Sequence, residues 1–344
     1  MIPIPKDVPL ALPAPEPLLV VLLVAFFLLH IVFVNLMIGG ALLTVVYQIR
    51  GLKDVRFDRL AHVIADTVTV NKSLAVVLGV GPLLAINTLY TVYFYTANAL
   101  TGEMWLSIVP LVIAAFLLTY LHKFRWHAMA SHRRWHIAIA ALAAALFLFI
   151  PLIFLTNINL MLFPARWTEV RGFWSALLLP NVLPRYVHFI LASIALTGLF
   201  IVWLFRRAPD AKIQAIGVDR ETLVRSGYRW ALIPTLAQFV VGPTVLLTVP
   251  GDGRTGQVIA VILAGAVIAL PAIWLIVLEL RSHGTALGRR FWPIVSLLTI
   301  TVLCMGSGRH LYREATLAPH QAEVRALTDR YMQAVDQAAH EARP

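Results

Sequence analysis

Long stretches of apolar residues, interrupted by short polar and basic segments, dominate the chain. An uninterrupted apolar run of roughly 20 residues is what a helix needs to cross a bilayer. Eight such spans are read: Leu18–Tyr47, Ser73–Ala97, Met104–Leu121, Ile137–Leu160, Tyr186–Phe205, Trp230–Val249, Gln257–Leu280 and Phe291–Gly306. The expected fold class is therefore all-α, a polytopic transmembrane helix bundle. Residues 1–317 form the membrane domain. Residues 318–344 are a polar, alanine-rich tail in which Val324, Leu327, Tyr331 and Val335 recur at helical spacing. That tail reads as an amphipathic helix on the outer surface or against a partner.

Composition agrees. Of 344 residues 60% are hydrophobic and 13% charged, against about half and about a quarter in soluble domains. Lys and Arg exceed Asp and Glu by 28 to 17. The basic excess lies in loops rather than in a nucleic-acid-binding patch. The loops after spans 1, 3, 5 and 7 carry 18 of the basic residues, and the opposite side carries 10. The positive-inside rule then puts both termini outside the cytoplasm, and the cytoplasmic membrane of a bacterium is the expected location.

Six prolines, at 82, 110, 151, 234, 243 and 271, fall inside spans. Each removes a backbone hydrogen bond, and Gly79–Leu84 (GVGPLL) is expected to kink span 2 most strongly. The segment 163–185, with Trp167, Trp174 and three prolines, reads as an interfacial strip on the outer side. The single Cys304 leaves no internal disulfide and no Cys-x-x-Cys-His attachment for a c-type haem.

Ionisable groups inside a span are costly and are candidates for function. No Asp or Glu lies mid-span; Glu103 and Glu279 sit at span ends. This weakens an ion-coupled transporter. His30 in span 1 and His188 in span 5 remain, with Arg309 and His310 just beyond span 8. Imidazole is the usual ligand for a b-type haem in a membrane bundle. Ala192 and Ala195 follow His188 on one helical face, Gly39 and Gly40 follow His30, and Met37 lies two turns after His30. Hydrogen bonding to a neighbouring helix is the competing reading for each histidine. His122, His127, His132 and His136 lie in a basic loop and read as a solvated cytoplasmic face.

The segment FFLLHIVFVNLMIGGALL, with His30, Phe33 and Val34, resembles the first helix of cytochrome bd oxidase subunit I. The segment LPNVLPRYVHFILASIALTGLF, with Val187, His188, Ala192, Ser193 and Gly198, resembles that family's fifth helix. Gly308 and Arg309 are faintly similar to its Gly-Arg segment. The resemblance implies that His188 and His30 ligate haem b. His310, at the outer end of span 8 at about the depth of His188, and Met305 are further candidates, and Arg309 is expected to pair with a haem propionate. The departures are equally specific. Met305 or a neighbour stands where the family has a glutamate, span 7 has no methionine, and residues 251–256 replace a long quinol-binding loop. The expected function is a haem b subunit of a respiratory complex. It passes electrons between the quinone pool and a c-type cytochrome or other periplasmic and membrane subunits. A quinone near Trp167, Glu169 and Trp174 is a further expectation. A haem-free quinol-binding anchor of the polysulphide-reductase type, a terminal oxidase and a transporter are the alternatives, in that order.

Overall fold

A computed structural model describes residues 12–341. Ten α-helices follow one another. They are α1 (Glu16–Gly51), α2 (Val55–Leu89), α3 (Thr91–Phe124), α4 (Arg133–Leu160), α5 (Phe173–Leu177), α6 (Val182–Arg206), α7 (Asp210–Ile216), α8 (Arg220–Thr248), α9 (Gly256–Arg281) and α10 (Phe291–Glu341). No strand occurs among the described residues. All but α5 and α7 are long and apolar enough to cross a membrane, eight in total. The chain is a multi-pass membrane protein.

The packing follows membrane rather than aqueous logic. Large apolar side chains face outward: Leu106, Val109, Ile113 and Leu117 form an exposed stripe on α3. Asn35, Thr44, Asn157, Ser193 and Thr197 are buried. Lipid tails are as apolar as leucine, so helices associate through small residues and polar contacts instead. Gly198 and Gly227 let α6 and α8 approach backbone to backbone: a Cβ on Gly198 would sit 2.7 Å from the Gly227 carbonyl oxygen. A Cβ on Gly39 would sit 2.2 Å from the Ser193 oxygen, so α1 lies directly on α6. At that contact the Ser193 hydroxyl donates to Asn35 Oδ1 at 3.0 Å. Asn157 Nδ2 joins α4 to α3 by donating to Asn98 Oδ1 at 2.8 Å and Thr101 Oγ1 at 3.1 Å.

Helix starts obey local chemistry. Asp54, Asp219 and Thr255 each accept from a backbone N–H of the first turn of α2, α8 and α9, satisfying donors the helix cannot. Glu279, at the end of α9, is fully buried. Its carboxylate accepts from the backbone N–H groups of Gly288 and Arg290, which ties the 282–290 connection back onto the bundle.

Six of the expected spans fall inside single helices, Trp230–Val249 overruns α8 by one residue, and span 2 does not fit a single helix. Ser73–Ala97 runs across the boundary at Tyr90, where the backbone leaves the helical region (φ −130°, ψ 40°). α2 continues through Pro82 as one helix. The breaks come at Tyr90 and again at Gly102, whose φ of 44° is open to glycine without steric cost. Apolar residues 91–101 are thus a helical segment set off by two breaks. There Tyr93, Phe94 and Ala97 share a buried cluster with Trp167, Tyr312 and Leu317. Hydropathy alone cannot separate such a segment from a span. The tail is not a separate helix: α10 continues through Pro319 to Glu341.

Candidate functional site

Starting from the histidines, α1 presents His30 to α2. Its Nδ1–H donates to the Ala75 carbonyl oxygen at 2.7 Å, and its ring lies against Gly79, where a Cβ would come within 2.9 Å. A carbonyl only accepts, so the bond sets the tautomer and leaves Nε2 as a lone pair, the state that binds metal. Met37 lies two turns on, buried with Ile38, Val68, Ala75, Ala115 and Phe147.

His188 occupies a different interface, between α6 and α8. Its backbone carbonyl accepts from Gln238 Nε2 at 2.9 Å. Its ring Nδ1 is buried and makes no hydrogen bond of normal geometry, nor does Gln238 Oε1, and the two side chains lie beside each other. Buried polar atoms are nearly always paired, so each exception calls for an explanation such as an absent water, ion or group.

One turn towards the helix start from His188, Arg185 is buried. It donates to Asn159 Oδ1 at 3.3 Å, and its guanidinium carbon is 5.8 Å from the Tyr312 ring centroid. From α10, Arg309 lies with its guanidinium carbon 4.6 Å from the Phe27 ring centroid, and Arg313 lies 5.1 Å from that of Tyr90. Arg185 and Arg313 are near enough for their charges to act on Arg309. Glu314 is nearby, but the Tyr90 hydroxyl donates to it. Arg309 Nε and His310 Nδ1 are also buried without partners among the described residues. Three guanidinium groups against the single nearby carboxylate of Glu314 leave a net positive corner at this end of the bundle.

The remaining expected residues separate. Met305 points at α9, where its methyl would lie 2.9 Å from a Cβ on Gly265. Trp167 is buried and donates its indole N–H to the Leu160 carbonyl oxygen at 3.1 Å. Trp174 is exposed, and Glu169 is exposed and paired with Arg166 at 2.8 Å. His188 thus lies at the α6–α8 interface, and Arg309 and His310 lie on α10, with Arg185 of α6 reaching Tyr312 of α10. His30 and Met37 lie at the α1–α2 interface, and Trp167 belongs to the core.

The basic loop between α3 and α4 corrects the sequence reading. His127 and His132 are exposed, as expected. His122 and His136 are buried. Gln48 of α1 bridges them: His122 Nε2–H donates to its Oε1 and its Nε2–H donates to His136 Nδ1, both at 3.0 Å. His122 also lines a cavity of ≈ 20 Å³ with Thr44, Thr119 and Lys123, room for about one water. A second missed residue is Lys72, fully buried in α2, whose ammonium lies 3.3 Å from the Tyr120 ring centroid and donates to the Phe116 carbonyl oxygen at 3.4 Å. The only sequence signal for Lys72 was its position beside a span edge. Gln48 and His136 had none, because their pairing joins helices distant in sequence.

No protein-family model matches the chain, and no curated protein matches it.

Proposed function

We propose that the chain is a haem b-binding membrane subunit of a bacterial respiratory complex. It would pass electrons between the quinone pool and a c-type cytochrome or another redox subunit outside the cytoplasm. The observation that carries this reading is the buried ring nitrogen of His188, which makes no hydrogen bond of normal geometry and lies one turn from the buried Arg185. The fit is chemical. A metal-coordinating nitrogen without a hydrogen bond of normal geometry and a group of arginines short of carboxylates are what an iron porphyrin with two propionates requires.

When bound, haem supplies one-electron redox chemistry that no side chain here provides. The protein's own residues ligate, orient and neutralise. His188 would hold the iron, and Arg309, supported by Arg185 and Arg313, would hold the propionates. His30, on another helix interface with its tautomer already set by Ala75, would serve a separate haem. His310 is a further imidazole with an open nitrogen. A quinone headgroup would meet the exposed Trp174 and Glu169 rather than Trp167, whose indole is committed to Leu160. The weight of basic residues on the face opposite this site supports placing the site outside the cytoplasm.

The test is a dithionite-reduced minus oxidised spectrum of the purified chain, with a pyridine haemochrome assay on the same sample. One or more haem b per chain is expected. A folded, detergent-stable preparation without haem would overturn the proposal in favour of a haem-free quinol-binding anchor.

A further inference from the structure

The face with the basic loops carries a cavity that the redox reading does not use. It lies where α6 ends and α7 begins, is open, measures ≈ 380 Å³, and is lined by Trp203, Leu204, Arg206, Arg207, Pro209 and Lys212 among others. Three cations therefore border one recess. None of them forms an ion pair among the described residues. The nearby carboxylate, Asp210, is taken by Arg220 at 2.6 Å. Arg206 is held in place by aromatic faces, its guanidinium carbon 4.5 Å from the Phe291 ring centroid and 5.3 Å from that of Trp292. Its Nε is buried without a partner among the described residues.

Position selects the ligand. Trp203 and Trp292 are both about half exposed on the bundle surface, and tryptophan marks the level of lipid headgroups. The recess lies at the end of a membrane-spanning helix, α6, with Leu204 on its apolar side, and Arg206 stacks from it onto the start of α10. A ligand seated here would present an anionic head to Arg206, Arg207 and Lys212 and an apolar tail to Trp203 and Leu204.

We infer that this recess is a binding site for the phosphate headgroup of an anionic phospholipid from the leaflet on the basic face. Paired arginines suit a phosphodiester because guanidinium groups donate two parallel hydrogen bonds to neighbouring phosphate oxygens. Lys212 adds a compact charge at the rim. The site depends on no property of the haem reading and stands or falls separately.

The experiment measures binding to the delipidated full chain in neutral detergent, by native mass spectrometry and by thermal shift. The probes are phosphatidylglycerol, phosphatidylcholine and inorganic phosphate. Phosphatidylglycerol is expected to bind and stabilise, and the other two are not. The double variant Arg207→Gln/Lys212→Gln is expected to lose about thirty-fold in phosphatidylglycerol affinity, since each basic residue near an anionic lipid contributes roughly five-fold. These two residues make no aromatic stack with α10, so the variant tests the site without unseating Arg206. A control, Lys53→Gln/Arg125→Gln elsewhere on the same face, is expected to bind as the parent does. Equal loss in the control would overturn the site in favour of diffuse surface charge. Equal stabilisation by inorganic phosphate would overturn the lipid in favour of a free anion. Unchanged binding in the Arg207/Lys212 variant would overturn the inference outright.

Discussion

His122 and His136 lie face to face, ring centroids 4.1 Å apart and planes inclined by 17°, and His136 Nε2–H donates to the backbone carbonyl of His122 at 2.8 Å. This bond and the two made by the Gln48 amide fix which ring nitrogen carries the proton in each neutral imidazole. His136 carries its proton on Nε2 and accepts on Nδ1, and His122 carries its proton on Nε2. The end of the α3–α4 pair is thereby locked to α1.

Removing the bridge tests that lock. Gln48→Leu keeps the volume but strands a donor on His122 and an acceptor on His136, both buried. The expected cost is about 2 kcal/mol, read as a lowered midpoint of thermal unfolding in detergent. An unchanged midpoint would remove this network from the account of stability.

The ligand assignment makes a separable prediction. His188→Ala should abolish at least part of the haem b absorbance while the chain still assembles and elutes as a folded species. His30→Ala should lower haem content by a different component, because its ring sits on α2 rather than at the α6–α8 interface. If both variants keep full haem content, neither residue is a ligand.

Helix packing predicts opposite outcomes at two glycines of the same bundle. Gly198→Val would push a side chain into the backbone of Gly227 and Ala231, which lie 2.7 and 2.5 Å from a Cβ there. It should cost about 3 kcal/mol. Gly242→Ala meets nothing within 4 Å and should gain roughly 0.5–1 kcal/mol from the reduced backbone entropy of the unfolded chain. Thermal unfolding of the two variants side by side checks both signs.

The extension of α10 beyond the bundle carries a pH-dependent contact. His320 Nδ1 hydrogen bonds with the Tyr93 hydroxyl at 2.9 Å, and its ring packs edgewise on Trp167. Burial against these rings lowers the imidazole pKa below its ordinary value, and Glu323 opposes the shift. A lowered folded-state pKa means that the contact is fully present above about pH 6.5 and is lost as pH falls through the lowered value. Hydrogen exchange in residues 313–335 should therefore accelerate on acidification from pH 7.5 to 5. The acceleration should vanish in His320→Gln. An identical pH response in that variant would assign the change to another group.

Much of the architecture was legible from residue order alone. A span is a local property: twenty apolar residues in a row must satisfy their backbone hydrogen bonds internally once in lipid. Seven helices were therefore found with little error. The eighth, span 2, was placed too far along the chain, because residues 91–97 beyond the break at Tyr90 are apolar enough to read as its continuation.

His30 and His188 also stood out in the sequence, since ionisable residues are conspicuous among leucines. What the tertiary structure decided is which atoms meet. It separated His30 from His188 onto different interfaces and turned Trp167 inward. It gathered Arg185, Arg309 and Arg313 from two helices, and it drew His122 and His136 out of an apparently solvated loop onto Gln48. Each of these depends on the rotation and close approach of helices far apart in the chain. Gly39 and Gly198 permit those approaches, but hydropathy does not encode their partners.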